Sequence, residues 1–225
     1  MKNCKLKYKC VVLDHDDTVV ETSKDIHYPS FVKSLSVLRP RIKIGFNEFM
    51  KYCFSPGFFA FLKENLKYTD EEIKYQLDVW KKDVSSVVPK AYDGVNEIIL
   101  KIKELGGIIV VVSHSAEDII LRDYKENFGV LPDAVFDGSL PDDKRKPSVY
   151  PLEKTAEFFS VEKKDIVVID DLKPGMDMAK NFGADFYAAG WSHFDEETKR
   201  FLKENADGYL ERVSDLKNVL FEYKD

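Results

Sequence analysis

Asp14 and Asp16 follow the apolar run Cys10-Val11-Val12-Leu13, Ser113 follows Ile108 to Val112, and Asp170-Asp171 follows Ile166 to Ile169. Short apolar runs without polar alternation read as strands buried on both faces of a parallel sheet. In an open parallel sheet, ligands bind at the carboxyl ends of the strands, so three distant segments converge on one crevice. Four carboxylates gathered there repel one another, and a hard divalent cation relieves the repulsion; magnesium suits an all-oxygen donor set. Its usual companion in such sites is a phosphate, for which Ser113, Lys146 and the loop amides after Asp14 supply donors and positive charge. Taken singly, an aspartate-rich strand end is often a solvated turn, Ser113 a residue of a helix start, and Lys146 one of many surface lysines. Their coincidence is what points to chemistry.

The elements that must position these residues are legible in the apolar pattern. Val95, Ile98, Ile99 and Ile102 repeat at helical spacing, and Gly106-Gly107 closes that helix before the next apolar run. Ser115 with Asp118 has the spacing of a capping box, opening a helix that carries Ile119 and Ile120 and ends at Gly129. Pro174 starts a short helix with Met178, Ala179 and Phe182, which Gly183 ends before the run Phe186 to Ala189. This order predicts an α/β fold, a doubly wound parallel sheet of Rossmann-like type. One interval is too long for it, because Thr18 to Asp93 far exceeds the roughly 30 residues of a complete strand-helix-strand unit. Within it Tyr28, Phe31, Val32, Leu35 and Leu38 keep helical spacing, and a capping box at Thr69 and Glu72 precedes the stripe Ile73, Leu77, Trp80, Val84. The reading is a core of residues 1–20 and 86–225 with a small helical domain, residues 21–85, inserted into it, the linkers lying near Val20 to Lys24 and Ser85 to Ala91.

The 225 residues are 44% hydrophobic and 33% charged, the composition of a chain that folds unaided. A net charge of -6 gives no basic footprint for nucleic acid. Cys4, Cys10 and Cys53 form no C-x-x-C pair, which fits a reducing cytoplasm better than a disulfide framework or a zinc site. The positive start is not followed by a signal-peptide pattern, and the longest aliphatic run, Ile108 to Val112, is far short of the roughly 20 apolar residues of a membrane span. The expectation is a soluble cytoplasmic protein with neither membrane nor nucleic acid as partner.

Asp14-His15-Asp16-Asp17-Thr18 after a hydrophobic strand resembles the DxDxT signature of the haloacid dehalogenase superfamily of phosphotransferases. Ser113 resembles its second motif, Lys146-Pro147 its third, and Ile169-Asp170-Asp171 with Gly175, Ala179 and Gly183-Ala184 its acidic fourth. The resemblance covers nearly the whole chain, and the insert is similar to the helical cap of the phosphoglycolate phosphatase and β-phosphoglucomutase branch. It implies a magnesium-dependent phosphatase acting on a small phosphorylated metabolite. Asp14 is then the nucleophile that forms an aspartyl-phosphate, and Asp16 the acid that protonates the leaving alcohol and later deprotonates water. Asp14, the Asp16 main-chain carbonyl, Asp170 and Asp171 would hold Mg2+, and Ser113, Lys146 and Thr18 the phosphate oxygens, with Thr18 also supporting the loop. Dehalogenase members lack the second acid, so Asp16 argues for phosphoryl chemistry. The rivals are a phosphomutase, which passes the group to a sugar hydroxyl, and a non-catalytic phospho-ligand binding protein, against which the two acids speak; phosphonate hydrolysis lacks a convincing cap lysine.

His15 fills a slot usually apolar in this family, and a solvent-facing imidazole is expected. His114 is read as closing the start of a helix rather than meeting substrate, and Asp177 is left off the metal. In the insert, Cys53-Phe54-Ser55-Pro56-Gly57-Phe58-Phe59 carries a turn signal. Ser55 and Phe58 are the expected substrate contacts, whereas Phe59 and Phe61 fit the insert's own core at least as well.

Overall fold

The computed structural model describes residues 3–192 and 195–224. A two-stranded antiparallel ribbon is formed by β1 (Asn3–Leu6) and β8 (Phe221–Lys224). Apart from it stands a six-stranded parallel sheet. Its second strand of the chain, β2 (Cys10–Leu13), lies between β3 (Ile108–Val112) and β5 (Ile166–Asp170). Beyond β3 lies β4 (Ala134–Phe136), and beyond β5 lie β6 (Asp185–Ala189) and β7 (Gly208–Leu210). The strand order reverses between β2 and β5, where Leu13 sits opposite Ile169. At such a reversal the flanking connections part to opposite faces and leave a crevice at the strands' carboxyl ends.

The apolar runs form strands because each is covered on both sides. Val11, Leu13, Val167 and Ile169 pack against α5 (Val95–Glu104) and α6 (Glu117–Phe128). Cys10, Val12, Ile166 and Val168 pack against α7 (Tyr150–Phe159) and α8 (Lys173–Phe182). The helix α6 starts after Ala116 with no side-chain cap. The capping box read at Ser115 and Asp118 is therefore not formed: Asp137 takes the Glu117 amide at 3.0 Å, and the Ser115 hydroxyl is drawn away to an acid described below.

The long interval is helical, as its periodicity predicts. A wide turn (Ser23–His27) leads into α1 (Tyr28–Leu38), followed by α2 (Phe46–Phe54), α3 (Phe58–Ala60) and a second wide turn (Phe61–Asn65), then α4 (Asp70–Ser85). These helices bury an apolar cluster of their own, with Phe31, Leu35, Phe49, Phe61, Leu62 and Ile73 at its heart. The Thr69–Glu72 capping box forms with both bonds, at 3.2 and 3.0 Å. The insertion joins the core through a short stem, where the Glu21 amide donates to Lys90 O at 2.9 Å and the Tyr92 amide to Val19 O at 3.1 Å. Above the stem Ile26, Val84 and Ile119 close a small apolar seam between insertion and α6. After β6 come α9 (Glu196–Asn205) and α10 (Leu216–Leu220). Among the described residues no helix is long and apolar enough to cross a membrane.

Candidate active site

Three strand ends deliver the acids. Asp14 caps β2, its amide donating to Ile169 O at 2.9 Å, and Asp170 and Asp171 stand at and just past the end of β5. All three are buried, and each offers an oxygen within 4.8 Å of the others'. Lys146 reaches in from the segment before α7 and bridges two of them, Nζ standing 2.7 Å from Asp14 Oδ1 and 2.6 Å from Asp170 Oδ2. The surface lysine suggested by its residue type alone is instead a buried ammonium held between two carboxylates. Burial disfavours every charge here, so the balance depends on neighbours. Burial raises Asp14, Lys146 pulls it down, Asp170 and Asp16 push it up, and the result is about 7. Asp171 is held well above the usual carboxylate range by burial and then by Asp14 and Asp170. For Lys146, burial opposes the charge, but Asp14 and Asp170 keep it firmly protonated.

Asp16 turns the other way, into a cavity of about 170 Å3 between the strand ends and the insertion. Its Oδ2 accepts from the Ser115 hydroxyl at 2.6 Å and faces Ser113 Oγ at 3.4 Å; its Oδ1 lies 2.9 Å from His27 Nε2. The Trp80 indole N–H donates to His27 Nδ1 at 2.9 Å. That bond requires Nδ1 to be unprotonated, so while it stands His27 is a neutral ring donating from Nε2 to Asp16. Burial opposes charge on His27 and Asp16 favours it, with a net upward shift, yet protonating the ring means giving up Trp80. On Asp16 itself burial acts upward but is outweighed by His27, His15 and Ser115, which hold it well below the ordinary range.

Several expected placements are corrected. His15 is fully buried rather than solvent-facing, because Asp123 on α6 meets its Nε2 at 3.1 Å and the ring stacks on Tyr124. Thr18, expected on the phosphate, does not line the cavity; it lies behind Asp171 and donates to its Oδ1 at 3.4 Å. Asp16's carboxylate stands apart from the three-acid group, which leaves its main-chain carbonyl as its means of reaching a metal. Ser55 is exposed and outside the cavity, since Gly57, at φ +103°, turns the chain after it so that Phe58 and Phe59 point inward. His114 lines the cavity against the Phe59 ring instead of capping a helix, and is kept neutral, with a pKa of about 3, by burial first and then by Lys146 and Arg145. Asp177 is tied to Lys173, away from the acids. Phe61 belongs to the insertion's core, stacked on Tyr52 at 4.0 Å.

His27, Trp80 and Ser115 were missed as site residues. Trp80 was visible only as part of an apolar stripe, and Ser115 had a competing reading as a helix cap. Nothing local marks His27, whose partner Asp16 stands across the stem.

The cluster as a whole joins three buried carboxylates and an ammonium on one side to a half-buried acid with its own donors on the other. Such a set can hold a divalent cation, receive an anion, and move a proton at its margin.

Solved structures share this fold. CbbY from Rhodobacter sphaeroides, determined with phosphate and, as a variant, with xylulose-1,5-bisphosphate, superimposes with a TM-score of 0.74 at 16% identity, over 93% of this chain and 96% of that one. A predicted phosphoglycolate phosphatase from Haemophilus somnus 129PT gives a TM-score of 0.68 at 17% identity, over 95% and 98% of the two chains. No curated protein matches the sequence. The profile of the haloacid dehalogenase-like hydrolases matches residues 8–183, a span that holds every acid described above. The chain belongs to the haloacid dehalogenase-like hydrolase family.

Proposed function

We propose that the protein is a magnesium-dependent phosphatase that hydrolyses small phosphate monoesters through an aspartyl-phosphate on Asp14, with residues 21–85 acting as a cap over the site. The observation that carries the reading is the division of labour between two acids two residues apart: Asp14 lies among carboxylates and an ammonium, Asp16 among hydroxyl and imidazole donors at the cavity wall. The phosphate and the phosphorylated sugar found with CbbY support a phosphorylated ligand.

The donor set fits magnesium. Three buried carboxylates offer oxygens within 4.8 Å, and burial, with mutual repulsion added to it, already raises Asp14 and Asp171. Asp14, Asp170 and Asp171, with the Asp16 main-chain carbonyl, would hold the ion; when bound, it neutralises charge on the entering phosphate. Asp14 Oδ attacks phosphorus while the bond from phosphorus to the ester oxygen breaks. Lys146 and Ser113 hold oxygens that are not transferred, so charge spreading over the phosphoryl group meets fixed donors. Asp16 gives its proton to the departing alkoxide. It takes on that proton as the substrate's negative charge enters beside it and raises its affinity. Water then attacks the aspartyl-phosphate, Asp16 receives the proton of that water, and inorganic phosphate leaves with Asp14 restored.

The test is phosphate release from a panel of esters. Activity should require magnesium and fall when calcium replaces it, because calcium takes more ligands at longer bonds. Asp14→Asn should lose at least about 1000-fold in kcat while unfolding at an unchanged temperature. Full turnover after exhaustive chelation, or by the folded Asp14→Asn protein, would refute the mechanism.

A further inference from the structure

The cavity has two unlike halves. Its floor carries the acids, Ser113 and Lys146, whereas the insertion contributes Phe49, Met50, Phe58, Phe59, Leu77 and Trp80. Among the described lining residues Lys146 is the sole ammonium or guanidinium group, and its Nζ is committed to Asp14 and Asp170 on the floor. The two imidazoles in the lining are already engaged, His27 between Asp16 and the Trp80 indole and His114 against the Phe59 ring. The insertion is not short of cations, but it spends them elsewhere: Lys33 on Asp83, Arg39 on Glu72, Lys51 on Asp195 and Glu197. Arg145 comes nearest, yet its guanidinium lies 4.8 Å over the Phe59 ring and is tied to Asp142 and to Gly138 O.

A second anionic group on a bound ester would thus enter a space walled by rings and methylenes with no cation to meet it, at a cost of several kcal/mol. A polyol fares little better. Gln76 Oε1 accepts from the Ser34 hydroxyl, and beside Gln76 the insertion's lining offers Ser23 and a His27 already held by Asp16 and Trp80, too few partners for a sugar's hydroxyls. An apolar group gains what these lose, since a cavity of about 150 Å3 lined by such side chains accepts a benzene-sized body.

Resting on the phosphatase reading, we propose that the substrates are monophosphate esters of uncharged, largely apolar alcohols, with a ring-sized or branched hydrocarbon seated between Phe49, Phe58, Leu77 and Trp80. Bisphosphates, phosphorylated carboxylic acids and sugar phosphates are then poor substrates.

The experiment compares five phosphates, each cleaved at a primary alcohol so that leaving groups are alike: benzyl phosphate and 3-methylbutyl phosphate against glucose 6-phosphate, 2-phosphoglycolate and ribulose 1,5-bisphosphate. With magnesium present, the first two should exceed the others at least tenfold in kcat/KM. Leu77→Lys, which brings an ammonium to the apolar half, should move the ratio toward 2-phosphoglycolate by at least tenfold. Equal or better turnover of the anionic or sugar esters by the unaltered protein would overturn the proposal while leaving the phosphatase intact. Turnover of none would strike the phosphatase reading instead. Binding of the same five to Asp14→Asn then decides the substrate class: tighter binding of benzyl phosphate upholds it, and tighter binding of 2-phosphoglycolate ends it.

Discussion

Between the two acids that follow β2 the chain carries a histidine that never meets water. His15 spends Nε2 on Asp123, whose other oxygen takes the Arg122 guanidinium at 2.8 Å, and Arg122 in turn reaches Val84 O at 3.0 Å and Val87 O at 2.8 Å. The ring therefore ties the backbone between Asp14 and Asp16 to the helix that also grips the end of α4. His15→Phe keeps a ring on Tyr124 but leaves a buried carboxylate short of a partner, which costs about 1–3 kcal/mol. It should lower stability to urea by that amount and reduce kcat more than it raises KM; unchanged stability would show that Arg122 alone satisfies Asp123. The acids themselves were legible in the sequence because each stands directly after its strand. His15's burial was not, since its partner lies 108 residues on. The turn at Ser55 was also legible, but not its facing, which the conformation of Gly57 decides.

At the scale of elements, α4 shows how a sequence signal becomes pH dependence. Glu72 is held at about 2, first by the Arg39 guanidinium and next by the Thr69 amide. A carboxyl depressed in the folded state stabilises the fold in its ionised form; the contribution is whole above the free glutamate value of about 4.3 and is lost as pH falls toward about 2. Glu72→Gln should flatten the loss of helical circular dichroism over that window, and an unaltered slope would assign acid sensitivity to other groups. Both bonds of this capping box follow from a four-residue pattern, and β2, β3, β5 and β6 follow from uninterrupted apolar runs. By contrast β4 and β7 are three residues each, half-buried at or near the sheet's edges, and carry no run to detect. β1 pairs with β8 from the far end of the chain, which no local pattern reveals.

In the whole molecule the insertion is shut on the core by two kinds of contact. The rim holds exposed ion pairs, Lys51–Glu197 at 3.2 Å, Lys63–Asp142 at 4.0 Å and Lys81–Asp118 at 3.9 Å, each worth about 0–1 kcal/mol and screened by salt. The interior has His27 on Asp16 and the edge contacts of Phe54 with Phe201 and Phe59 with His114. Closure should follow the interior. With Trp191→Phe, Trp80 is the remaining indole; its emission should hold steady as salt rises to about 1 M, where the Debye length is about 3 Å, and shift red in His27→Ala. A red shift driven by salt alone would place the latch at the rim.

The stem on which the insertion sits, Val19 to Glu21 beside Lys90 to Tyr92, brings the two ends of a seventy-residue excursion side by side. For β2 and β3 the length and content of that excursion hardly matter, since loop-closure entropy grows only slowly with length. The cavity is thus lined from two separate stretches of chain, the strand ends and the insertion. Changes of length between Glu21 and Lys90 therefore cost the sheet little, so long as the partners that this stretch lends to the strand ends, His27 on Asp16 above all, are kept.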